Sequence, residues 1–293
     1  MNVPSFSKVF QNILHDINLN GDISQPRDLK VIENLLSQTE IDPTKVIANF
    51  DARKFNWKYF AGELAWYLSK DNNVDYISNF SGFWNNITNP GTNEINSNYG
   101  SLLFGEQLKW VVDSLKSDKN TRQAIAFLNQ PKFQFEGNKD FVCTMYMNFF
   151  IRDNKLNMKV QMRSNDVFYG LTFDAPFFGF VLQHMRLWLL KEYPDLELGT
   201  YFHCADNIHY YERHFELADA VMNDDLNREQ YSMNIEHPLF YIDEDSSMCL
   251  TNHGTRFINE VNDTVEYLKT SGNPKDPTYY YNILVKYLNI NRI

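Results

Sequence analysis

The sequence predicts an α+β fold, and three observations carry that prediction. Segments of helical and of strand character follow one another without the regular βαβ alternation of a doubly wound sheet. The 293 residues are 43% hydrophobic and 15% aromatic, enough for a large core, and the charged 22% is mixed in sign. No repeat, Pro-rich linker or low-complexity tract divides the chain, so residues 1–293 read as one domain.

The elements follow from local pattern. Phe6, Val9, Phe10, Ile13, Leu14 and Ile17 recur at helical spacing, and Asn20-Gly21 is a fitting stop. Residues 55–70 repeat that character, with Trp57, Phe60, Leu64, Trp66, Tyr67 and Leu68 around a single acid, Glu63. The Asn-, Gly- and Ser-rich stretch 71–98 reads as loop, and 99–117 as helix. Strand character then takes over at 125–128, 142–151 and 156–163. Arg152-Asp-Asn-Lys155 supplies hairpin chemistry between the last two, and Cys143 falls at the start of a strand. Residues 175–191 form a strongly apolar core helix. A strand near 198–203 precedes a helix at 209–222.

The net charge of −10, from 27 basic and 37 acidic residues, disfavours binding to polymeric nucleic acid, which needs a basic stripe to displace counterions. The opening Met-Asn-Val-Pro-Ser-Phe has no basic segment followed by an apolar run, and no stretch approaches the ~18 apolar residues of a membrane span. A cytoplasmic protein without a membrane partner is expected. Cys143, Cys204 and Cys249 are too few and too far apart for a disulfide framework or a CxxC site. Each reads as a reduced, small buried hydrophobe unless its surroundings activate it.

Nucleotide-loop, zinc-protease and serine-hydrolase motifs are absent from the sequence. His209 and His214 do not share a helical face, so no metal is expected. What remains is a set of polar groups inside apolar surroundings: Glu63, Asn98-Tyr99-Gly100, Arg163-Ser164-Asn165-Asp166, and Asp174. Each also fits a plain structural role. Glu63 could reach solvent or an arginine, and Asp174 could cap the 175–191 helix, with Pro176 in its first turn.

Taken together these residues resemble a known family. Cys143, then Arg163-Ser164-Asn165-Asp166-Val167-Phe168-Tyr169-Gly170, then Asp174, is similar in type and spacing to the thymidylate synthase signature. Asp206-Asn-Ile-His209-Tyr-Tyr211 resembles its nucleoside motif, Gly62-Glu63-Leu64-Ala65-Trp66 its catalytic-glutamate helix, and Asn20-Gly21 with Arg27 its phosphate loop. The matches run from about residue 18 to 214, and 225–293 matches weakly. Within the superfamily the resemblance is greatest to the phage deoxycytidylate hydroxymethylases. It rests on Glu94-Ile-Asn-Ser-Asn-Tyr-Gly100, Phe141-Val-Cys-Thr144, Trp84-Asn-Asn-Ile87, and Asp174 where synthases carry asparagine.

The aspartate is the informative substitution. Uracil offers an N3–H donor and an O4 acceptor, which a carboxamide can match; cytosine offers the reverse, an N3 acceptor and an N4 donor. A carboxyl group fits cytosine as an acid at N3 or as a carboxylate facing an N3-protonated base. A buried mismatch costs roughly 1–3 kcal/mol per group, or about tenfold to a hundredfold in discrimination.

The resemblance implies a thymidylate synthase-like fold, a large mixed β-sheet covered by helices, with a sheet face forming a homodimer interface. It implies that the Cys143 thiolate adds to C6 of a pyrimidine mononucleotide and makes C5 a nucleophile. Free cysteine is only a few per cent thiolate at neutral pH, so Arg163 is expected to serve both the thiolate and the phosphate. Ser164, Arg27 and a partner's Arg122 would share the phosphate, His209 and Tyr211 the sugar. Asn148 stands where the family has a substrate-positioning glutamine, and Gln123 where a second arginine often follows the first. Glu63 with water and Tyr99 are the proton-transfer candidates. The one-carbon unit would come from 5,10-methylenetetrahydrofolate, contacted by Asp166, Trp84 and Gly170. Hydration of the C5 methylene would give 5-hydroxymethyl-dCMP, and hydride transfer a methyl group. A dCMP or dUMP methyltransferase, a CMP hydroxymethylase and an inactive nucleotide-binding protein stand as the alternatives.

Overall fold

The computed structural model describes residues 3–226, 230–271 and 276–293. In chain order the elements are α1 (Phe6–Asn20), β1 (Asp22–Ser24), β2 (Val31–Ile41), α2 (Trp57–Ser69), α3 (Val74–Ser78), α4 (Tyr99–Leu103), α5 (Glu106–Ser117) and β3 (Ile125–Phe127). They continue with β4 (Thr144–Arg152), β5 (Lys155–Met162), β6 (Asn165–Asp166), α6 (Thr172–Leu189), β7 (Glu197–Tyr211) and α7 (Phe215–Met222). The last are β8 (Tyr231–Met233), β9 (Phe240–Ile242), β10 (Met248–Leu250), α8 (Asn252–Ser271), α9 (Thr278–Leu288) and β11 (Ile290–Arg292). The architecture is α+β with a mixed sheet, as the sequence predicts. Two compact units are formed: residues 1–55, 143–234 and 290–293 make the first, residues 56–142 and 235–289 the second.

The first unit is built on the sheet order β1-β2-β7-β5-β4, with β6 also paired to β7. β4 and β5 form the expected hairpin, and its central residues Asp153 and Asn154 take φ of 49° and 58°, the left-handed pair whose twist matches the strands. β5 and β6 run parallel to β7, and β2 runs antiparallel to it. Met147, Phe149, Ile151, Leu156, Met158 and Val160 point to one buried face by strict alternation. α6 packs on β5 and β7. It is apolar nearly all round, so it lies in the core.

Burial along β7 changes phase partway. Tyr201, His203 and Ala205 are buried, then Ile208 and Tyr210. The pairing with β2 passes from Ala205 to Asn207 opposite Ser37 and Leu35, skipping Leu36, which has φ of 59°. That irregularity turns His209 and Tyr211 away from the core while His203 stays inside it.

In the second unit, α2 packs on α4, α8 and α9. Asn56 caps α2 by accepting from the Tyr59 N–H at 3.0 Å. β9 and β10 form a separate hairpin.

Several boundaries depart from the sequence expectation. The strand expected near 198–203 runs to Tyr211, and the helix expected from 209 begins at Phe215. His209 is paired on both sides, to Glu33 and Asp166, and two ladders outweigh local helix propensity. The 99–117 helix is split at Phe104-Gly105, because Phe104 turns into the core against Phe240, ring centroids 4.3 Å apart. The 71–98 loop contains α3 and a turn of 3-10 helix at Gly82–Asn86. Asp174 lies inside the first turn of α6 and does not cap it.

Candidate active site

In the first unit the end of β5 brings Arg163 beside the residue that precedes β4. The Arg163 N–H donates to the Cys143 carbonyl at 2.9 Å, and the guanidinium Nη2 donates to Cys143 Sγ at 3.5 Å. A cation donating to the sulfur favours the thiolate, the form that attacks carbon. Among the described residues no arginine or lysine donates a hydrogen bond to either of the other two cysteine sulfurs. Cys204 is buried in β7, where burial pushes its thiol up, and Cys249 lies on β10 beside Asp243.

Asp174 is half-buried, and burial raises its carboxyl to about 6. Its Oδ2 accepts from Asn165 Nδ2 at 2.7 Å; Oδ1 makes no hydrogen bond among the described residues. Gly170 lies against this pair. A Cβ there would stand 2.8 Å from Asn165 Nδ2 and 3.1 Å from Asp174 Oδ2, so the turn needs glycine to let the amide and the carboxyl meet.

Asp166 caps the turn Val167–Leu171, its Oδ1 accepting from the Phe168 and Tyr169 N–H groups at 2.7 and 2.6 Å. Its Oδ2 is buried with no hydrogen-bond partner among the described residues, and burial raises the carboxyl to about 6 against the opposing pull of those two N–H groups, Arg213 and Arg53. Arg53 donates to the Phe168 carbonyl at 2.6 Å and lies over the Phe168 ring, and Arg213 lies over Tyr169 and Tyr211. His209 and Tyr211 sit half-buried at the end of β7. Burial lowers His209, and Arg27 adds to that; burial raises Tyr211. Arg27 is exposed in a turn at Pro26–Asp28 with φ of 52°. Ser164 is half-buried between Arg163 and Asn165. Asn148 lies on the half-exposed face of β4, opposite Lys159.

The second unit holds the remaining candidates. Glu63 is 6% exposed on α2, where Tyr59, one turn earlier, donates to Glu63 Oε1 at 2.8 Å. Trp84 Nε1 donates in turn to the Tyr59 hydroxyl at 3.2 Å. Gly62 leaves room for the Phe80 ring, which a Cβ would meet at 2.2 Å. Tyr99 is buried and stacks on Tyr67 at 5.4 Å, and Gly100 allows α4 to touch the Tyr67 carbonyl. Arg122 is exposed in a cleft of about 590 Å³ with Trp110, Asp113 and Ser114.

Among the described residues no group of three or more His, Cys, Asp or Glu side chains could hold a metal, and no helix is long and apolar enough to cross a membrane. The sequence motifs leave out Tyr59, Tyr201 and His203. The i, i+4 spacing of Tyr59 and Glu63 on one helix face was a signal for the first.

The thymidylate synthase family model matches residues 8–247. A deoxycytidylate 5-hydroxymethyltransferase of Enterobacteria phage T6 is 33% identical over 175 residues, covering 56% of this chain and 71% of that relative. A deoxyuridylate hydroxymethyltransferase of Bacillus phage SP01 is 26% identical over 249 residues, 78% of this chain and 62% of that protein. A thymidylate synthase of Mycoplasma genitalium is 23% identical over 212 residues, 61% of this chain and 72% of its own length.

Proposed function

The chain belongs to the thymidylate synthase family, and from that premise we propose that it is a deoxycytidylate 5-hydroxymethyltransferase in which residues 1–293 act as one catalytic domain. The reaction is dCMP, 5,10-methylenetetrahydrofolate and water to 5-hydroxymethyl-dCMP and tetrahydrofolate. One observation carries the choice of base: the Asp174 carboxyl keeps one oxygen on Asn165, and the other makes no hydrogen bond among the described residues. A carboxyl complements cytosine N3 and the N4 amino group, where a carboxamide complements uracil.

Cys143, with Arg163 on its sulfur, adds to C6 and so makes C5 nucleophilic. Asp174 stabilises the charge this addition pushes toward N3, an interaction stronger in the transition state than in the ground state. Arg163, Ser164, Arg27 and a partner subunit's arginine at position 122 neutralise the phosphate, and His209 and Tyr211 bind the sugar. Tyr99 and Glu63 move protons at C5 and N4. Tyr59 holds the Glu63 carboxyl through its hydroxyl, orienting it for water. Asn148 is assigned to the substrate side of the site.

Folate supplies the one-carbon unit at the methylene level. The residues fit it: Asp166 Oδ2 is a buried acceptor in want of a donor, as a pterin N–H would be. Trp84 offers an aromatic face, and Gly170 keeps the turn free of a side chain.

Incubation with dCMP, dUMP and CMP plus methylenetetrahydrofolate, read by mass spectrometry, tests the reading. The expected product is dCMP plus one CH2O. A stoichiometric rise in dihydrofolate absorbance would instead identify hydride transfer and a methyl product. The similarity to a deoxyuridylate hydroxymethyltransferase makes dUMP the nearest competitor; turnover of dUMP with dCMP refused would reverse the base assignment.

A further inference from the structure

Behind the Asp174 carboxyl lies a chain of polar side chains, all in the first unit. Asn165 Nδ2 reaches Asp174 Oδ2 at 2.7 Å, His203 Nε2 reaches Asn165 Oδ1 at 3.0 Å, and the Tyr201 hydroxyl reaches His203 Nδ1 at 2.6 Å. Asn165, His203 and Tyr201 are 3%, 2% and 0% exposed, and the Phe178 ring covers both Tyr201 and His203. Water therefore does not compete for these bonds, and each donor and acceptor must be satisfied within the chain.

Such a chain has a direction. A carboxylate only accepts, so Asn165 must turn its NH2 toward Asp174. Its carbonyl then faces His203, which must carry its proton on Nε2, and the bare Nδ1 accepts from the Tyr201 hydroxyl. Burial lowers His203 to about 3 and raises Tyr201 well above the ordinary tyrosine value, so both stay neutral and keep these roles at working pH.

We infer that Tyr201, His203 and Asn165 are positioning residues that fix which oxygen of Asp174 can carry a proton, and that the polarity of this chain sets the preference for cytosine over uracil. The inference rests on the reading of Asp174 as the group that faces the base. With Oδ2 occupied by an N–H donor, a proton taken up by Asp174 lies on Oδ1. An O–H at that position complements the N3 lone pair of cytosine and opposes the N3–H of uracil. Were the chain reversed, with the Asn165 carbonyl toward Asp174, the proton would lie on Oδ2. The bare Oδ1 would then accept from uracil N3–H. An aspartate alone is thus compatible with either base, and the side chains behind it decide.

The test begins with wild-type kcat/KM for dCMP and dUMP. Absence of a dCMP preference would remove the base assignment itself, independently of the chain. Given that preference, Tyr201→Phe frees His203 to change tautomer, and the dCMP/dUMP ratio of kcat/KM should fall about tenfold, the worth of one buried hydrogen bond. A merely structural role would lower both substrates alike, and an unchanged ratio overturns the inference. A second measurement needs no variant. Imidazole 15N spectra of the wild-type protein, with His203 assigned by loss of its signals in His203→Gln, should show Nε2 protonated and Nδ1 bare. A proton on Nδ1 overturns it.

Discussion

Cys143 and Cys204 differ in what surrounds the sulfur: a guanidinium donates to it at 3.5 Å in one case, and in the other burial raises the thiol against the pull of Lys159. Cys143→Ala should abolish release of tritium from C5 of dCMP while leaving thermal unfolding close to wild type. Retained exchange would remove covalent addition from the mechanism. Asp174→Asn should move the dCMP/dUMP ratio of kcat/KM toward dUMP by about tenfold to a hundredfold, read by competition between the two nucleotides. The same residue shapes stability against pH. Burial raises Asp174 from 3.8 to about 6, so the folded state holds a proton that the unfolded state releases. That contribution is full below about pH 4 and is lost as pH rises through 6. Urea midpoints across pH 4 to 7 should therefore fall less steeply in Asp174→Asn than in wild type, and equal slopes would contradict the shift.

At the scale of elements, the turn Val167–Leu171 and the first turn of α6 act together, because Gly170 is where Asn165 and Asp174 approach. Gly170→Ala should cost about 1–3 kcal/mol of stability through overpacking, and it should lower dCMP turnover more than tenfold. Gly82→Ala is the control, since a Cβ there meets nothing within 4 Å; equal losses in both would show that the close approach at Gly170 is not the cause. Legibility varied among the elements for physical reasons. α1, α2 and α6 carry apolar residues at helical period, and the β4–β5 turn carries its own φ preference, so local pattern sufficed. β2 was different: its burial alternates poorly, with Leu35 and Leu36 exposed, and it is a strand because β7 pairs with it along its length. The end of β7 has the local pattern of a helix for the complementary reason, since nothing local announces the strands on either side of His209.

For the whole molecule, a net charge of −10 is compatible with a ligand carrying a single phosphate, which needs only a local arginine cluster rather than a basic face. The proposed homodimer with Arg122 crossing to the partner's phosphate makes a sharp prediction. Cys143→Ala and Arg122→Ala should each be nearly inactive. Mixed, unfolded and refolded together, they should recover up to about a quarter of wild-type activity, because half the dimers are hybrids and each hybrid has one intact site. No recovery, with a dimer seen by sedimentation, would place Arg122 in its own subunit's site or in none.

The sequence by itself determined the family and the α+β class, and it named the residues of the candidate site, because Cys143, Arg163, Asp166 and Asp174 sit in one short stretch whose spacing survives without knowledge of the fold. It also determined that Asp174 is a carboxyl where a carboxamide is usual. Only the tertiary structure decided what that carboxyl is bonded to. His203 and Tyr201 lie far along the chain from Asp174 and carry no motif. They reach it through Asn165, because β7 runs beside β5 and β6, and because burial under Phe178 keeps Tyr201 on His203 and His203 on Asn165. Spacing along a chain encodes chemistry within one element or turn, whereas the direction of a hydrogen-bond chain across strands depends on registers that nonlocal pairing sets.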